Sequence, residues 1–424
     1  MTARSGPIIA LFPEASFGAA LNCVGIAQVL RERGARPVFI CHPGFTGLFA
    51  DYGFAEHHLS LPGKEARPDT WQDFVRRHLP HFNLSPLEQL DTYVAPTWEA
   101  IVDTAIDAEP GLNALLARLK PDAVVLDNVI MFPTLATSGI PWVRVVSCAE
   151  TELPDANVPP YLSGLAAEDA GRADFERRYL AAVAPAHERF NRFRASVGLP
   201  ALPSSEFLEP SPWLNLLLTP DIVKRHRTRP LDPRKFIYLE GCVRSEGPFE
   251  PPEFPDGKGP LVYLGFGSLG AGDVALIERM ISVFATFPAR FIVNVGGFRD
   301  AYRAVPDNVY LDSWFPQPSV VAQCNLFIHH GGNNSFCEAL YFGVPSLVVP
   351  YCWDGHDNAQ RAVEAGVGLR LDRAKWTERE LVSAMSTLLG DASMRRRLKE
   401  NSATMSANPG TVRAADAVLA LVGR

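Results

Sequence analysis

The sequence has little that would staple the chain, anchor it or spread it on a charged surface. Its seven cysteines (Cys23, Cys41, Cys148, Cys242, Cys324, Cys337 and Cys352) are odd in number and form no Cys-x-x-Cys pair. That excludes a disulfide framework and a zinc knuckle, and points to reduced thiols. No run approaches the roughly 18 to 20 apolar residues of a membrane span, and the apolar stretch from Pro7 to Pro13 ends at Glu14, too short for a secretory leader. Positive charge is not in excess: the net charge of −7 excludes binding to nucleic acid or anionic lipid by bulk electrostatics. The 36 prolines and 32 glycines recur without period, so no collagen-like or low-complexity tract is present. These absences describe a cytoplasmic, enzyme-sized protein. With 424 residues, 47 % of them apolar, it can bury two large cores or three small ones.

The hydrophobic pattern alternates. Residues 8–12 form an all-apolar run suited to a strand covered on both faces. A Gly- and Ala-rich turn follows over Pro13 to Leu21, and Asn22 is placed to cap a helix running to about Arg33, where Gly34 stops it. Residues 37–41 are the second strand, completing a parallel βαβ unit. Further strands are expected at 123–126, 142–146, 213–218 and 236–239, with helices through 69–120 and 165–197. The intervening aromatics, Trp71, Phe74, Phe82, Tyr93 and Trp98 among them, suit a core or a cleft wall. Residues 241–260 hold five prolines without periodicity, which is the composition of a linker. Alternation then restarts, with strands expected at 261–264, 291–295, 309–311, 326–328 and 346–349 and a helix near 274–287. The pattern predicts an α/β protein of two doubly wound, Rossmann-like domains facing across a cleft: residues 1–240, a linker at 241–260, residues 261–400, and a C-terminal helix in 401–424 that crosses back to the first domain.

Two segments carry chemistry. Gly265-Phe266-Gly267-Ser268-Leu269-Gly270 matches the dinucleotide fingerprint, but no acidic residue ends the next strand, and the first carboxylate beyond it is Asp300. A nicotinamide or flavin enzyme is therefore the lesser reading. The second segment runs from a buried strand at 326–328 into His329-His330-Gly331-Gly332-Asn333-Asn334-Ser335 and then a helix. Glycines at a helix start let the backbone approach phosphate, and His330 adds a donor or a positive charge. A purely structural alternative stands beside it: Ser335-x-x-Glu338 is a capping box.

The run from Asp312 to Arg361 closely resembles the donor-binding signature of the UDP-dependent glycosyltransferases, the plant secondary-product and bacterial macrolide type with the GT-B fold. Trp-x-Pro-Gln, His-x-Gly-x-Asn-Ser-x-x-Glu-Ala-Leu and Gly-Val-Pro stand in register. Weaker similarity covers the βαβ unit and Gly267-Ser268. The resemblance implies that Trp314 stacks on uracil, Gln317 pairs beside it and His330 holds the diphosphate. It implies that Gly332, Asn334 and Ser335 line the phosphates, that Glu338 bridges the ribose hydroxyls and that Asp354 holds the sugar. The implied reaction is transfer of a hexose from a UDP-sugar to a small, largely apolar acceptor such as a natural product or antibiotic, with inversion and no metal or other cofactor. No Asp-x-Asp motif occurs anywhere in the chain.

Two departures from the family pattern matter. Gly355 replaces the Gln that usually follows the sugar-binding Asp, so sugar contacts there are thinner or come from His356 or Asp357. Ala19 stands where the family carries the His that deprotonates the acceptor. The N-terminal histidines (His42, His57, His58, His78 and His81) are expected at the surface. Two carboxylates remain: Asp127, ending its strand beside an expected imidazole-sized gap, as the principal base, and Glu14, in the first turn, as the second. A non-catalytic UDP-sugar-binding auxiliary protein, or a nucleotide-sugar hydrolase or epimerase, is the alternative.

Overall fold

Thirteen strands, paired in parallel throughout, form two sheets among the residues that the computed structural model describes, 6–61, 76–255 and 259–423. Trp71 and Phe74 lie outside them. The first sheet has the order β3-β2-β1-β4-β5-β6-β7. Its strands are β1 Ile8–Pro13, β2 Arg36–Cys41, β3 Ala55–His58, β4 Ala123–Asp127, β5 Trp142–Val146, β6 Leu214–Leu217 and β7 Phe236–Tyr238. The second has the order β10-β9-β8-β11-β12-β13. It comprises β8 Leu261–Gly265, β9 Arg290–Asn294, β10 Val309–Asp312, β11 Leu326–His329, β12 Ser346–Val348 and β13 Gly368–Arg370. Every residue of β4, β5, β8 and β11 is buried, as helices on both faces of a parallel sheet require.

Both sheets reverse their strand order once, between β1 and β4 and between β8 and β11. At each reversal the neighbouring connections leave to opposite faces and open a crevice at the strands' carboxyl ends. The register puts Pro13 beside Asp127 at the first and Gly265 beside His329 at the second. All the candidate site residues except Trp314 and Gln317, on the β10 side, and Asp354, after β12, lie at or just beyond strand ends flanking these reversals or on the helices that follow them.

The first helix begins earlier than its sequence pattern indicates. It spans Phe17–Glu32 and is capped by Ser16, whose hydroxyl accepts the Ala19 N–H at 3.3 Å. Asn22 is buried inside it rather than capping it. A Ser followed by Phe-Gly-Ala-Ala offers weak helix signals, but one side-chain cap and the apolar packing of Ala20, Cys23 and Val24 outweigh them. The C-terminal helix Gly410–Leu421 buries Ala414, Ala415 and Val418 in the same core as Ala20 and Val24, so the end of the chain packs on the N-terminal half. The Pro-rich stretch after β7 is not a loose spacer: Cys242 and Arg244 are both buried.

Candidate active site

Around the second reversal, β11 delivers His330 and the Asn333–Phe342 helix starts three residues later with Gly332 as its N-cap. His330 packs against the turn after β8. A Cβ at Gly267, whose φ is +66°, would stand 2.8 Å from the imidazole Cε1, so only glycine allows this contact. The ring hydrogen-bonds the Gly265 backbone, and Nδ1 is buried with no partner among the described residues. Burial lowers the His330 pKa to about 4, with the Gly265 bond opposing. A neutral imidazole with an orphaned nitrogen beside a helix N-terminus is prepared to take up a proton and an anionic oxygen together. Ser268, Asn334 and Gly332 are half-buried around it.

The capping-box alternative fails. Ser335 lies inside the helix, and its hydroxyl accepts from Gln317 Nε2 at 3.1 Å. Glu338 is fully buried and, among the described residues, serves no backbone N–H: Oε2 accepts from Gln317 Nε2 at 2.6 Å and Oε1 from Arg244 Nη1 at 2.9 Å. Gln317, Ser335 and Glu338 therefore form one polar patch. Trp314, on the loop after β10, is 64 % exposed, the largest exposure of any big apolar side chain among the described residues. A ring held in water beside a buried polar patch suits stacking on a flat ligand.

Asp354 opens the Asp354–Glu364 helix directly after Trp353, a bulky residue at φ +53°. Its Oδ2 accepts the Asn333 N–H at 2.8 Å and the Asn358 amide at 3.2 Å, so it also caps the neighbouring helix. Burial raises its pKa to about 7, with the Asn333 N–H opposing and Asp357 and Glu14 adding. Gly355 is fixed by contact, since a Cβ there would lie 2.6 Å from the His330 carbonyl oxygen. His356 and Asp357 do not face a sugar. His356 Nε2 lies 3.3 Å from Gln89 Oε1, and Asp357 accepts from Thr151 Oγ1 (2.6 Å), Leu162 N (2.8 Å) and Gly164 N (2.7 Å). Both tie the second half of the molecule to the first. Restoring the family's glutamine by Gly355→Gln is thus expected to lower stability by about 1–3 kcal/mol by overpacking, measured by denaturant unfolding, without improving transfer.

At the first reversal the Glu14 N–H donates to the Asp127 carbonyl at 2.8 Å, so the two carboxyl-bearing residues are neighbours. Asp127 does not line an open gap. It is 2 % exposed, with the Ser147 hydroxyl donating to Oδ1 at 2.5 Å and Cys23 Sγ 4.0 Å from Oδ2. Burial drives its pKa well above the carboxylate range, Ser147 opposing and Glu14 and Glu152 adding. Glu14 is less enclosed, and Ser16 Oγ donates to its Oε1 at 2.7 Å. Burial raises its pKa to about 7, Ser16 opposing and Glu152 adding. Glu152 itself is paired with Arg144 at 2.5 Å. Sequence reasoning missed Glu152 and Ser147, which lie in segments without periodic signal. Of the five N-terminal histidines, His42 and His78 are buried, not at the surface.

The two crevices face each other. Asn333 Nδ2 donates to the carbonyls of Ser147 (2.9 Å) and Leu218 (2.8 Å), pinning the start of the second half's helix to strand ends of the first. An aromatic band crosses alongside: the Trp98 ring is 3.9 Å from Phe207 and 5.9 Å from Trp353, and Trp353 is 6.2 Å from Tyr161. Among the described residues, Cys41, Glu56 and His58 are the one group whose ligand atoms could share a metal ion, and they lie on β2 and β3, outside this cleft. Both Glu56 oxygens there already accept backbone N–H groups, from Gly47, Phe49 and Ala50.

Two switch-point crevices closed on one another, one prepared for an anion and the other lined by carboxylates, are the arrangement of a GT-B glycosyltransferase. Residues 278–421 match the family described as erythromycin biosynthesis protein CIII-like, C-terminal domain. Over 426 residues the chain is 25 % identical to the oleandomycin glycosyltransferase of Streptomyces antibioticus, covering 99 % of this chain and 92 % of that protein. The crystal structure of the glycotransferase of kitacinnamycin superposes with a TM-score of 0.71 at 20 % identity, covering 98 % of this chain and 99 % of that one. The glycosyltransferase VinC in complex with DTDP superposes at 0.67 and 19 % identity, covering 98 % and 99 %. By sequence and by fold the chain is similar to glycosyltransferases of the macrolide and natural-product type, in line with its resemblance to the UDP-dependent family.

Proposed function

We propose that the protein transfers a hexose from a UDP-sugar to a hydroxyl of a small, largely apolar natural product, with inversion at the anomeric carbon and without a metal ion. The observation that carries this reading is His330, with a buried, unpartnered nitrogen beside the start of the Asn333–Phe342 helix. In the proposed complex the diphosphate lies between the Gly267-Ser268 turn and Gly332, Asn334 and Ser335, with Trp314 on the uracil. Charge that develops on the leaving diphosphate meets protonated His330 and the helix N-terminus, in place of a cation. The sugar reaches Asp354. The acceptor enters from the first half, beside Glu14 and Asp127, and attacks the face of the anomeric carbon opposite the diphosphate.

Of the two carboxylates, Glu14 suits the base. Its pKa of about 7 matches proton transfer at neutral pH, whereas Asp127 is enclosed, with Ser147 on its Oδ1, and burial holds its carboxyl well above the usual range. Asp127 then acts with Ser147 to hold the floor of the acceptor crevice. The DTDP bound to VinC belongs to that protein; the buried carboxylate of Glu338 favours a full ribose for this one. The test is to offer UDP-hexoses and their thymidine counterparts with a panel of macrocyclic and phenolic acceptors, in excess chelator, and to read the product's anomeric configuration by NMR. An inverted glycoside formed from the UDP-sugar without metal supports the proposal. Retention, or dependence on a divalent ion, refutes it.

A further inference from the structure

Arg244 lies in the Pro-rich segment between the sheets, far in sequence from the donor signature, yet its side chain is only about 5 % exposed and reaches that signature's core. Nη1 donates to Glu338 Oε1 at 2.9 Å and Nε to Glu246 Oε1 at 2.5 Å, and the Tyr52 hydroxyl donates to the same Glu246 oxygen at 2.6 Å. One chain of polar contacts therefore runs from the segment before β3 through Glu246 and Arg244 to Glu338, and on to Gln317 and Ser335. Arg244 serves two carboxylates at once, a costly arrangement unless ionised Glu338 is needed where it stands.

Resting on the donor-site reading above, we infer that Arg244 is a positioning residue for donor selection: it holds Glu338 as a carboxylate, aimed so that the bound nucleotide's two ribose hydroxyls can both donate to it. A carboxylate offers about four acceptor positions. Arg244 and Gln317 fill two of them, and the 2′- and 3′-hydroxyls take the remaining two when the donor displaces the packing that now buries the carboxylate. A protonated acid offers fewer acceptors and presents its own O–H, so it cannot receive both hydroxyls equally. Burial raises the Glu338 pKa above the usual carboxylate value, with Arg244 and then Gln317 pulling it back and Glu246 adding to burial. Among the described residues, the other titratable groups near Glu338 are Tyr263 on β8 and Cys337 on its own helix, both driven upward by burial and so neutral. Arg244 is thus the cation facing Glu338, which makes the consequence of removing it specific.

The experiment is calorimetric titration of UDP and 2′-deoxy-UDP into wild type, Arg244→Gln, Arg244→Lys and Glu338→Gln, between pH 6 and 9. Wild type should prefer UDP by about tenfold, the worth of a hydroxyl bonded to a charged group, with little change in that preference across the range. Arg244→Gln should lose most of the preference at pH 6 and recover it as the pH rises and Glu338 ionises. Arg244→Lys should restore part of it, and Glu338→Gln should lack it at every pH. An Arg244→Gln protein that stays folded by circular dichroism and keeps the wild-type preference and its flat pH profile overturns the inference. If wild type binds the two nucleotides equally, the placement of ribose at Glu338 fails instead, and the role of Arg244 with it.

Discussion

Glu14→Gln is expected to lower single-turnover sugar transfer by about 10²- to 10⁴-fold, the contribution of a positioned general base, while UDP affinity stays at the wild-type value. The amide is nearly isosteric, so the Ser16 contact survives and only proton acceptance is lost. Asp127→Asn should cost less, because the Asp127 carboxyl is enclosed and already engaged by the Ser147 hydroxyl, a contact that the amide oxygen can keep. The wild-type rate should fall as the pH drops below about 7. Stability should move the other way. Glu14 would ionise near 4.5 in the unfolded chain but resists ionisation in the fold until about 7. The unfolded state therefore binds fewer protons over that window, and stability falls as the pH rises through it. Glu14→Gln removes this penalty and should stabilise the protein at pH 7 and above by on the order of 1–3 kcal/mol. A variant that loses activity yet gains stability is hard to explain by misfolding. Denaturant unfolding at pH 5 and pH 8 beside single-turnover assays reads both effects.

His330→Ala should reduce turnover by about 10²- to 10³-fold, in the range of removing one donor to developing oxyanion charge. The variant also opens space beside Gly267, but the residues it touches are backbone, so the fold should hold. Trp314→Ala makes the useful contrast. Stacking on a base is worth roughly 1–3 kcal/mol, and with Trp314 largely in solvent its loss should appear as weaker UDP binding, with turnover at saturating donor almost unchanged. His330 would then be separated from Trp314 by a turnover defect against a binding defect. Equal loss in both variants would place the histidine with the base contacts and not at the leaving group.

The strands that carry these residues were plain in the sequence because buried parallel strands are continuous apolar runs, and β1, β4, β5, β8 and β11 all appear within a residue or two of their expected bounds. The exceptions are edge strands. Ala55–His58 has no apolar pattern, and Gly368–Arg370 is three residues long; both lie at sheet edges, paired on one side only and less fully covered. The donor residues were legible for a different reason: they fall in one continuous stretch, and a helix N-terminus after a strand has a readable form. What composition hid was tertiary. Arg244 looked like linker because prolines surround it, and only its contact with Glu338, 94 residues away, shows what it does. Gly355 looked like a missing sugar contact, whereas it is the close approach to His330 that excludes a side chain. His356 and Asp357 looked free to serve a ligand, and both are spent on joining the halves. Ala19, 3 % exposed, sits in a packed turn, so reinstating a histidine there would strain the first helix as well as the acceptor crevice.

The most direct measurement is release of UDP from UDP-glucose and other UDP-hexoses, followed with and without an acceptor panel in excess chelator. Release that requires an acceptor, survives the chelator and matches the glycoside formed mole for mole is the predicted result. Release at the same rate without an acceptor would mean that water is the substrate and the acceptor crevice is misassigned. Tight binding without release under any condition would contradict catalysis by this cleft altogether.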